Sequence, residues 1–270
     1  MNPDLHAFSF GKNWRNFVSV LNEEHIYQAQ DSLRTMLRKD RLDGLRFLDA
    51  GCGSGLFSLA ALRLEAREVV SFDSDSESLQ CAHYLNEKYG PLPQWKIAQG
   101  SVLDRNWLTS LGKFDVVYSW GVLHHTGDLW QALDNIIIPV SPKGTLFISI
   151  YNDQGIISKF WKTVKRIYNR SPKAIGLLMA TCWYIVVIIN KIILGVARMQ
   201  SPRVWFQSAG MRGMNIWYDA VDWVGGYPFE TARSEDVFRF YRDRGFALVE
   251  MILKKGSGCN EYVFTRNAGK

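Results

Sequence analysis

The chain has 270 residues, 47% of them hydrophobic and 21% charged, with 22 glycines and 8 prolines, which excludes a disordered, collagen-like or low-complexity protein. The net charge of +6 arises between residues 151 and 231, which hold ten basic and four acidic residues, so a basic surface over the whole molecule is not indicated. The four cysteines share no C-x-x-C spacing, which argues against a zinc ribbon, a redox dithiol and a disulfide scaffold, and no metal site is predicted.

Strands and helices alternate along most of the chain. The first forty residues have the apolar spacing of a helix, and five short apolar strands follow, most of them separated by helical spacing. These predicted strands are Leu45–Ala50, Glu68–Asp73, Trp95–Gln99, Phe114–Ser119 and Gly144–Ile150. Such alternation is typical of a parallel sheet covered on both faces, so we predict an α/β fold. We expect a helix at Ser234–Arg244 and a hairpin of strands Phe246–Leu253 and Glu261–Thr265 to close the sheet edge.

A long insertion separates the fifth predicted strand from the last predicted helix. It has roughly 80 residues, whereas a strand-to-helix connection usually needs about 2 to 6. We therefore predict a helical cap, with a basic amphipathic helix at Ser158–Asn169 and an uncharged run of 17 residues at Ala174–Asn190. The predicted domains are an N-terminal helical segment (1–44), a core (45–150), the cap (151–231) and a C-terminal helix and hairpin (232–270).

The apolar run raises the question of a membrane. A spanning helix needs about 20 apolar residues, and a span would separate the last strands from the rest of the sheet, so spanning is not predicted. Two alternatives stay open: a cap that shields the acceptor pocket, which we favour, and peripheral membrane contact through residues 158–197, whose lysines and aromatic rings suit anionic lipid. The N-terminus has no signal-peptide pattern and the cysteines suit a reducing compartment, so we expect a cytoplasmic protein; its oligomeric state is not indicated.

A glycine-rich loop follows the first predicted strand. Gly51, Gly53 and Gly55 lie where the strand turns into a helix, so a ligand could approach the bare backbone and the free N–H groups of the helix. Asp73 ends the next strand, 18 residues after Gly55, where a carboxylate can accept both hydroxyls of a ribose, although it would also suit a helix cap. The loop lacks the third glycine of the dinucleotide pattern G-x-G-x-x-G, so a diphosphate is not the expected ligand.

Five motifs occur in the order FLDAGCGSG, VVSFDSD, QGSVLD, FDVVYSWGVLHH and SPKGTLFIS. Together they resemble the class I S-adenosylmethionine-dependent methyltransferases over about residues 45–150 and the closing hairpin. The resemblance implies a Rossmann-like, doubly wound and mostly parallel seven-stranded sheet with an antiparallel last strand, and S-adenosylmethionine as the cofactor. It also implies cofactor contacts from Asp49 and Gly51 at the methionine end, Gly53 and Gly55 in the loop, Asp73 at the ribose, Ser101, Val102 and Asp104 at the adenine, and Ser119 and Trp120 at the sulfonium. Ser101 stands where many relatives carry an acid.

Residues near the ends of the fourth and fifth strands are candidates for the acceptor side. A hydroxyl or amine acceptor must lose a proton, and His124 and His125 can titrate near neutral pH, although either could cap a helix or pack on the sheet. Tyr151 leaves the fifth strand at the edge where ligands bind in such sheets. Further candidates for substrate contact, some in a stretch that a packed connector would also explain, are Asn152, Trp217, Tyr218, Asp219, Tyr227 and Glu230.

The sequence therefore predicts a methyltransferase that acts on an oxygen, nitrogen or carbon of a small or lipid-like acceptor. Nucleic acid is not an expected partner, because the basic segment is largely apolar and no appended RNA-binding module is seen. The alternatives are a methyltransferase for RNA or protein and a non-catalytic module that binds the cofactor. The intact glycine loop and Asp73 argue against the non-catalytic module.

Overall fold

The computed structural model describes residues 8, 10–199, 201 and 216–267. Its seven strands form one sheet in the order β3-β2-β1-β4-β5-β7-β6. Strands β1 to β5 pair in parallel, and β7 runs antiparallel to both β5 and β6. The strands are β1 (Arg46–Ala50), β2 (Glu68–Asp73), β3 (Trp95–Gln99), β4 (Phe114–Trp120), β5 (Val140–Tyr151), β6 (Phe246–Ile252) and β7 (Cys259–Arg266). The predicted doubly wound sheet with an antiparallel last strand is confirmed.

Helices cover both faces of the sheet. Phe47 joins one buried apolar cluster and its neighbour Leu48 joins the other, because successive residues of a strand point to opposite faces. The described helices are α1 (Gly11–Val20), α2 (Glu23–Leu37), α3 (Leu56–Arg63), α4 (Ser76–Lys88), α5 (Arg105–Ser110), α6 (Leu129–Asn135), α7 (Ile156–Arg170), α8 (Lys173–Ala197), α9 (Ile216–Gly225) and α10 (Ser234–Arg242). The predicted N-terminal helix is two helices, since the Asn22 side chain accepts from the backbone N–H of His25 and so begins α2.

Three helices of the core begin at an aspartate near the carboxyl ends of the strands. Asp75, Asp104 and Asp128 each accept a backbone N–H from the first turn of α4, α5 and α6 respectively. An N-cap aspartate satisfies a donor that has no partner within the helix and suits the positive end of the helix dipole. These caps fix the helices that surround the site described below.

The cap contains α7, α8 and α9. Trp161 of α7 lies 4.6 Å, between ring centroids, from Trp183 of α8, and Tyr168 of α7 packs over Gly176, so the two helices are antiparallel neighbours. The predicted uncharged run lies within α8, which has 25 residues and an 18-residue window with a mean hydropathy of 2.1, so it suffices by length and composition to cross a bilayer. Only 6% of its most apolar window is buried. The proposed division of the chain into four domains stays a prediction.

Candidate active site

The glycine loop turns tightly between β1 and α3. Gly51 has φ of +78° and Gly53 has φ of +53°, a left-handed conformation that side chains other than glycine rarely adopt. A Cβ on Gly51 would also lie 2.4 Å from a methyl group of Val122, and one on Gly53 would lie 2.9 Å from the Trp14 ring. Bare backbone is therefore required at both positions by conformation and by close packing.

The carboxylate of Asp73, at the end of β2, is bonded to this loop. One oxygen accepts the backbone N–H of Gly53 at 3.0 Å and the other accepts that of Asp75 at 2.9 Å. Burial raises the pKa of Asp73 above its ordinary value, and these two N–H groups oppose the rise. Since each carboxylate oxygen has a second lone pair, Asp73 can still accept two hydroxyl groups.

A cavity of about 1190 Å³ opens at the carboxyl ends of the strands and extends under the cap. Its walls include six of the residues predicted to bind the cofactor: Gly51, Gly53, Asp73, Ser101, Val102 and Trp120. The same cavity is lined by four residues predicted for the acceptor side, which are His125, Tyr151, Asp219 and Tyr227. One continuous space thus joins the glycine loop to the cap.

Two predicted cofactor residues lie beneath the cavity rather than in its wall. Asp49 is buried and accepts the hydroxyl of Ser58, and burial raises its pKa to about 7. Ser119 is buried and donates to the carbonyl of Ala50 at 2.9 Å, so it joins β4 to β1. Both residues support the loop from inside the sheet.

Two further predicted cofactor residues lie at helix starts. Asp104 is exposed and accepts the backbone N–H of Trp107 at 3.0 Å, so its carboxylate caps α5 and is absent from the cavity wall. Gly55 is the N-cap of α3 and packs against Ala82 and Trp95. The predicted contact of Asp104 with the adenine therefore has no support from its position, whereas its neighbours Ser101, Val102 and Leu103 line the cavity.

The two histidines have different environments. His125 lines the cavity, and its Nδ1 lies 2.6 Å from the carbonyl oxygen of Pro228. Because a carbonyl only accepts, Nδ1 carries the proton and Nε2 of the neutral ring is an acceptor. Burial lowers the pKa of His125 to about 3. His124 is fully buried, with its ring 4.0 Å from that of Tyr151, and lies outside the cavity wall, so contact with an acceptor is not supported for it.

Several predicted substrate residues have structural partners instead. The amide of Asn152 donates to the carbonyls of Lys254 and Gly256, which holds the turn between β6 and β7. The backbone N–H of Glu230 donates to the backbone carbonyl of His124, and burial raises the pKa of the Glu230 carboxyl. Trp217 packs on Tyr184 with ring centroids 5.5 Å apart, and the Tyr218 side chain lies outside the described part of the chain. None of these described side chains lines the cavity.

Three residues of the wall that belong to α8 were not predicted. From α8, Trp183, Val187 and Lys191 line the cavity, and their spacing of four residues places them on one helix face. That periodicity was present in the sequence, but the uniform hydrophobicity of α8 hid which face points inward. Phe10 and Trp14 of the N-terminal segment also line the cavity, and the Phe10 ring lies 5.0 Å from that of His125. In the described residues no group of three or more His, Cys, Asp or Glu side chains could hold a metal ion.

Comparisons with known proteins find methyltransferases. A family model described as a methyltransferase domain matches residues 21–234, most of the chain. A ubiquinone biosynthesis O-methyltransferase of Methylocella silvestris is 32% identical over 111 residues, which are 41% of this chain and 41% of that protein. A ribosomal protein L11 methyltransferase of Prochlorococcus marinus is 40% identical over 68 residues, which are 24% of this chain and 22% of that protein.

A solved structure extends the likeness to nearly the whole chain. The magnesium protoporphyrin IX methyltransferase of Synechocystis, with bound S-adenosylhomocysteine, covers 95% of this chain and 94% of its own, with 16% identity and a TM-score of 0.55. That likeness shows a shared fold. The chain spans less than half the length of the curated relatives given above, and those two act on different classes of molecule by name.

Proposed function

The chain belongs to the class I S-adenosylmethionine-dependent methyltransferases, and we propose that it transfers a methyl group from this cofactor to a small, largely apolar acceptor held beneath its cap. The observation that carries the proposal is the single cavity that joins the glycine loop and Asp73 to Trp120, Tyr151 and the cap helices. Ligand pockets commonly have about 300–1,000 Å³, so a cavity of about 1190 Å³ has room for two ligands side by side.

The residues around the loop fit the cofactor. Asp73 is a mostly buried carboxylate that still has two lone pairs for ribose hydroxyls, and the bare backbone at Gly51 and Gly53 lies in the same wall. Val102 and Leu103 offer apolar surface to the adenine ring. When bound, S-adenosylmethionine supplies an electrophilic methyl group on a sulfonium.

On the acceptor side, His125 is suited to position the acceptor and is a poor base for removing its proton. His125 is neutral at physiological pH because burial lowers its pKa to about 3, and its Nε2 accepts a hydrogen bond from an acceptor hydroxyl or amine. A base with so low a pKa takes a proton only as the nucleophile gains positive charge, so we assign His125 a positioning role in the approach of the acceptor. The Tyr151 ring packs edge-on against the His125 ring, with centroids 5.5 Å apart, and so helps to hold the imidazole in place.

The outer part of the cavity is mainly aromatic and aliphatic. Trp183 of α8 stacks on Trp223 of α9 with ring centroids 6.5 Å apart, and the Trp223 ring lies 5.8 Å from that of Tyr151. Val187 of α8 also lines the cavity. An apolar body would bury area against these side chains, and Asp219 and Lys191 offer polar contacts. These contacts favour a small or lipid-like acceptor over an extended protein or RNA strand.

Two measurements test the proposal. Calorimetric titration should show binding of S-adenosylmethionine and of its demethylated product and none of NAD⁺; tight binding of NAD⁺ alone would contradict it. Incubation with labelled S-adenosylmethionine and a fractionated cell extract should then label the lipid or small-molecule fraction. Label in the protein or RNA fraction would instead support the two alternative acceptors.

A further inference from the structure

The outer face of α8 is apolar and exposed along the whole helix. Its large side chains keep about half or more of their surface in contact with solvent, for example 62% for Leu178, 49% for Ile185 and 61% for Val196. Positions 178, 185, 189 and 196 are separated by seven, four and seven residues, so they lie on one face of the helix and form one stripe. A contiguous apolar patch of this kind is rare on soluble surfaces and marks a contact surface.

The opposite face of the same helix belongs to the active-site cavity. Gly176 and Ala180 are buried there, and Trp183, Val187 and Lys191 line the cavity. One helix thus separates the proposed acceptor space from the exposed apolar stripe. Because its inner face is already packed against α9 and lines the cavity, α8 does not have the all-round exposure to lipid of an isolated spanning helix.

The neighbouring helix α7 adds positive charge. Lys159, Lys162, Arg166 and Arg170 are exposed and follow each other at steps of three and four residues, so they form a second stripe. Ile156, Phe160 and Ile167 are also exposed and lie beside that stripe. Between Asp153 and Asp219 the sequence has ten basic residues and no acidic one.

We propose that the exposed face of α7 and α8 docks on an anionic lipid bilayer, with α8 lying in the interface and the cations of α7 on the headgroups. Helices with an apolar face and a lysine-rich polar face bind such interfaces by burial of the apolar face and by attraction to anionic lipid. A second copy of this chain is disfavoured as the occupant, because self-association of this face would bring like charges together without any acid between Asp153 and Asp219 to pair them. This docking does not depend on the proposed acceptor.

Vesicle flotation tests the docking. We expect the wild-type chain to float with vesicles of phosphatidylcholine and phosphatidylglycerol at low salt, to be released at high salt, and to remain in solution with phosphatidylcholine alone. The double variant Leu178→Glu/Ile185→Glu and the double variant Lys159→Glu/Lys162→Glu should each reduce flotation by about tenfold or more. Matched controls are Val20→Glu, which alters a residue of α1 that is 58% exposed, and Lys39→Glu, both of which should float as the wild type does.

The other outcomes overturn the proposal. They are no flotation with anionic vesicles, equal flotation of the α8 variant, or an unchanged partition of the α7 variant. A dimer in sedimentation that Leu178→Glu/Ile185→Glu dissociates would identify a second copy as the occupant. A large fall in melting temperature for that variant, but not for Val20→Glu, would mean that the face is packed within the chain. Calorimetric binding of S-adenosylmethionine should persist in every variant, which separates failure of docking from failure of the proposed function.

Discussion

The side-chain amide of Asn13 donates a hydrogen bond of 2.5 Å to the carboxylate of Asp222. Asn13 belongs to α1 and Asp222 to α9, so the bond joins the start of the chain to the last helix of the cap, 209 residues later. Trp14 and Asp222 both line the cavity. The Asn13–Asp222 hydrogen bond therefore helps to join the side that covers the glycine loop to the side that covers the acceptor space.

We expect Asn13→Ala to loosen the cap. A hydrogen bond to a charged group contributes about 1.5–3 kcal/mol, and Asn13 is 9% exposed, so little water replaces the lost donor. The free energy of unfolding should fall by this order, and amide hydrogen exchange should accelerate in α9 before it does in the strands. The control is Arg15→Ala on the same helix, which removes an exposed ion pair with Glu77 worth about 0–1 kcal/mol. Equal effects of both variants would contradict the role of Asn13.

Asp73→Ala should weaken binding of S-adenosylmethionine by roughly 1–3 kcal/mol, because two charge-assisted hydrogen bonds to the ribose are lost. The variant also frees the N–H groups of Gly53 and Asp75, so the melting temperature is measured alongside the affinity. Asp104→Ala is the matched control: that carboxylate caps α5 outside the cavity wall, and calorimetry should give an unchanged dissociation constant. A larger loss of affinity in Asp104→Ala than in Asp73→Ala would reverse the assignment.

Lys165 should make the free energy of unfolding increase with pH above about pH 7. It is fully buried, its ammonium donates to the carbonyl of Trp223, and burial lowers its pKa to about 7 while Asp222 opposes the change. Between pH 7 and the ordinary lysine pKa of about 10.4, the unfolded chain binds a proton that the folded chain does not, so stability rises with pH in that window. We expect urea unfolding of Lys165→Met to lack this rise.

The matched control for Lys165→Met is Lys162→Met, which changes an exposed lysine of the same helix. The unfolding free energy of the wild type should rise relative to that of Lys165→Met by a few kcal/mol from pH 7 to 10, at about 1.4 kcal/mol for each pH unit. A difference that stays constant over that range would mean that the ammonium reaches water in the folded chain.

His125 should stay neutral across the physiological range. Nitrogen-15 NMR should give one protonated Nδ1 and one unprotonated Nε2, with shifts that stay constant between about pH 5 and 8. Because the folded pKa of His125 is about 3 and the unfolded value about 6.5, the unfolded chain binds the extra proton between them, and stability falls as pH falls through that window. A titration midpoint between about pH 6 and 7 in the folded protein would show instead an imidazole open to water.

The parts predicted from the sequence were those that depend on local pattern. The five parallel strands follow from short apolar runs, and the glycine loop with Asp73 follows from a spacing within one strand-helix-strand unit. The roles of Asp104 and Asn152 were harder to predict, because a carboxylate or an amide at a strand end can bind a ligand or a backbone group equally well. Only the structure shows that these partners are Trp107 in one case and Lys254 and Gly256 in the other.

Contacts between distant residues could not be predicted from one sequence. Nothing in the sequence indicates that Asn13 pairs with Asp222. Phe10 and His125, whose rings are in contact, are likewise far apart in the sequence. The inward face of α8 could not be identified either, since a helix that is apolar all round does not show which of its faces is buried. That Trp183 and Val187 line the cavity is seen only once α7 and α9 are placed beside α8.

The two faces of α8 have a kinetic consequence. A helix with its side chains is about 10–12 Å across. Under the proposed docking, an acceptor dissolved in lipid is therefore separated from the cavity by the width of α8 alone. The concentration that determines the rate is then the mole fraction of acceptor in the membrane. KM should be expressed in that unit and not as a molarity in the whole solution. Dilution of the acceptor with inert lipid, at a constant total amount in the test tube, would slow turnover.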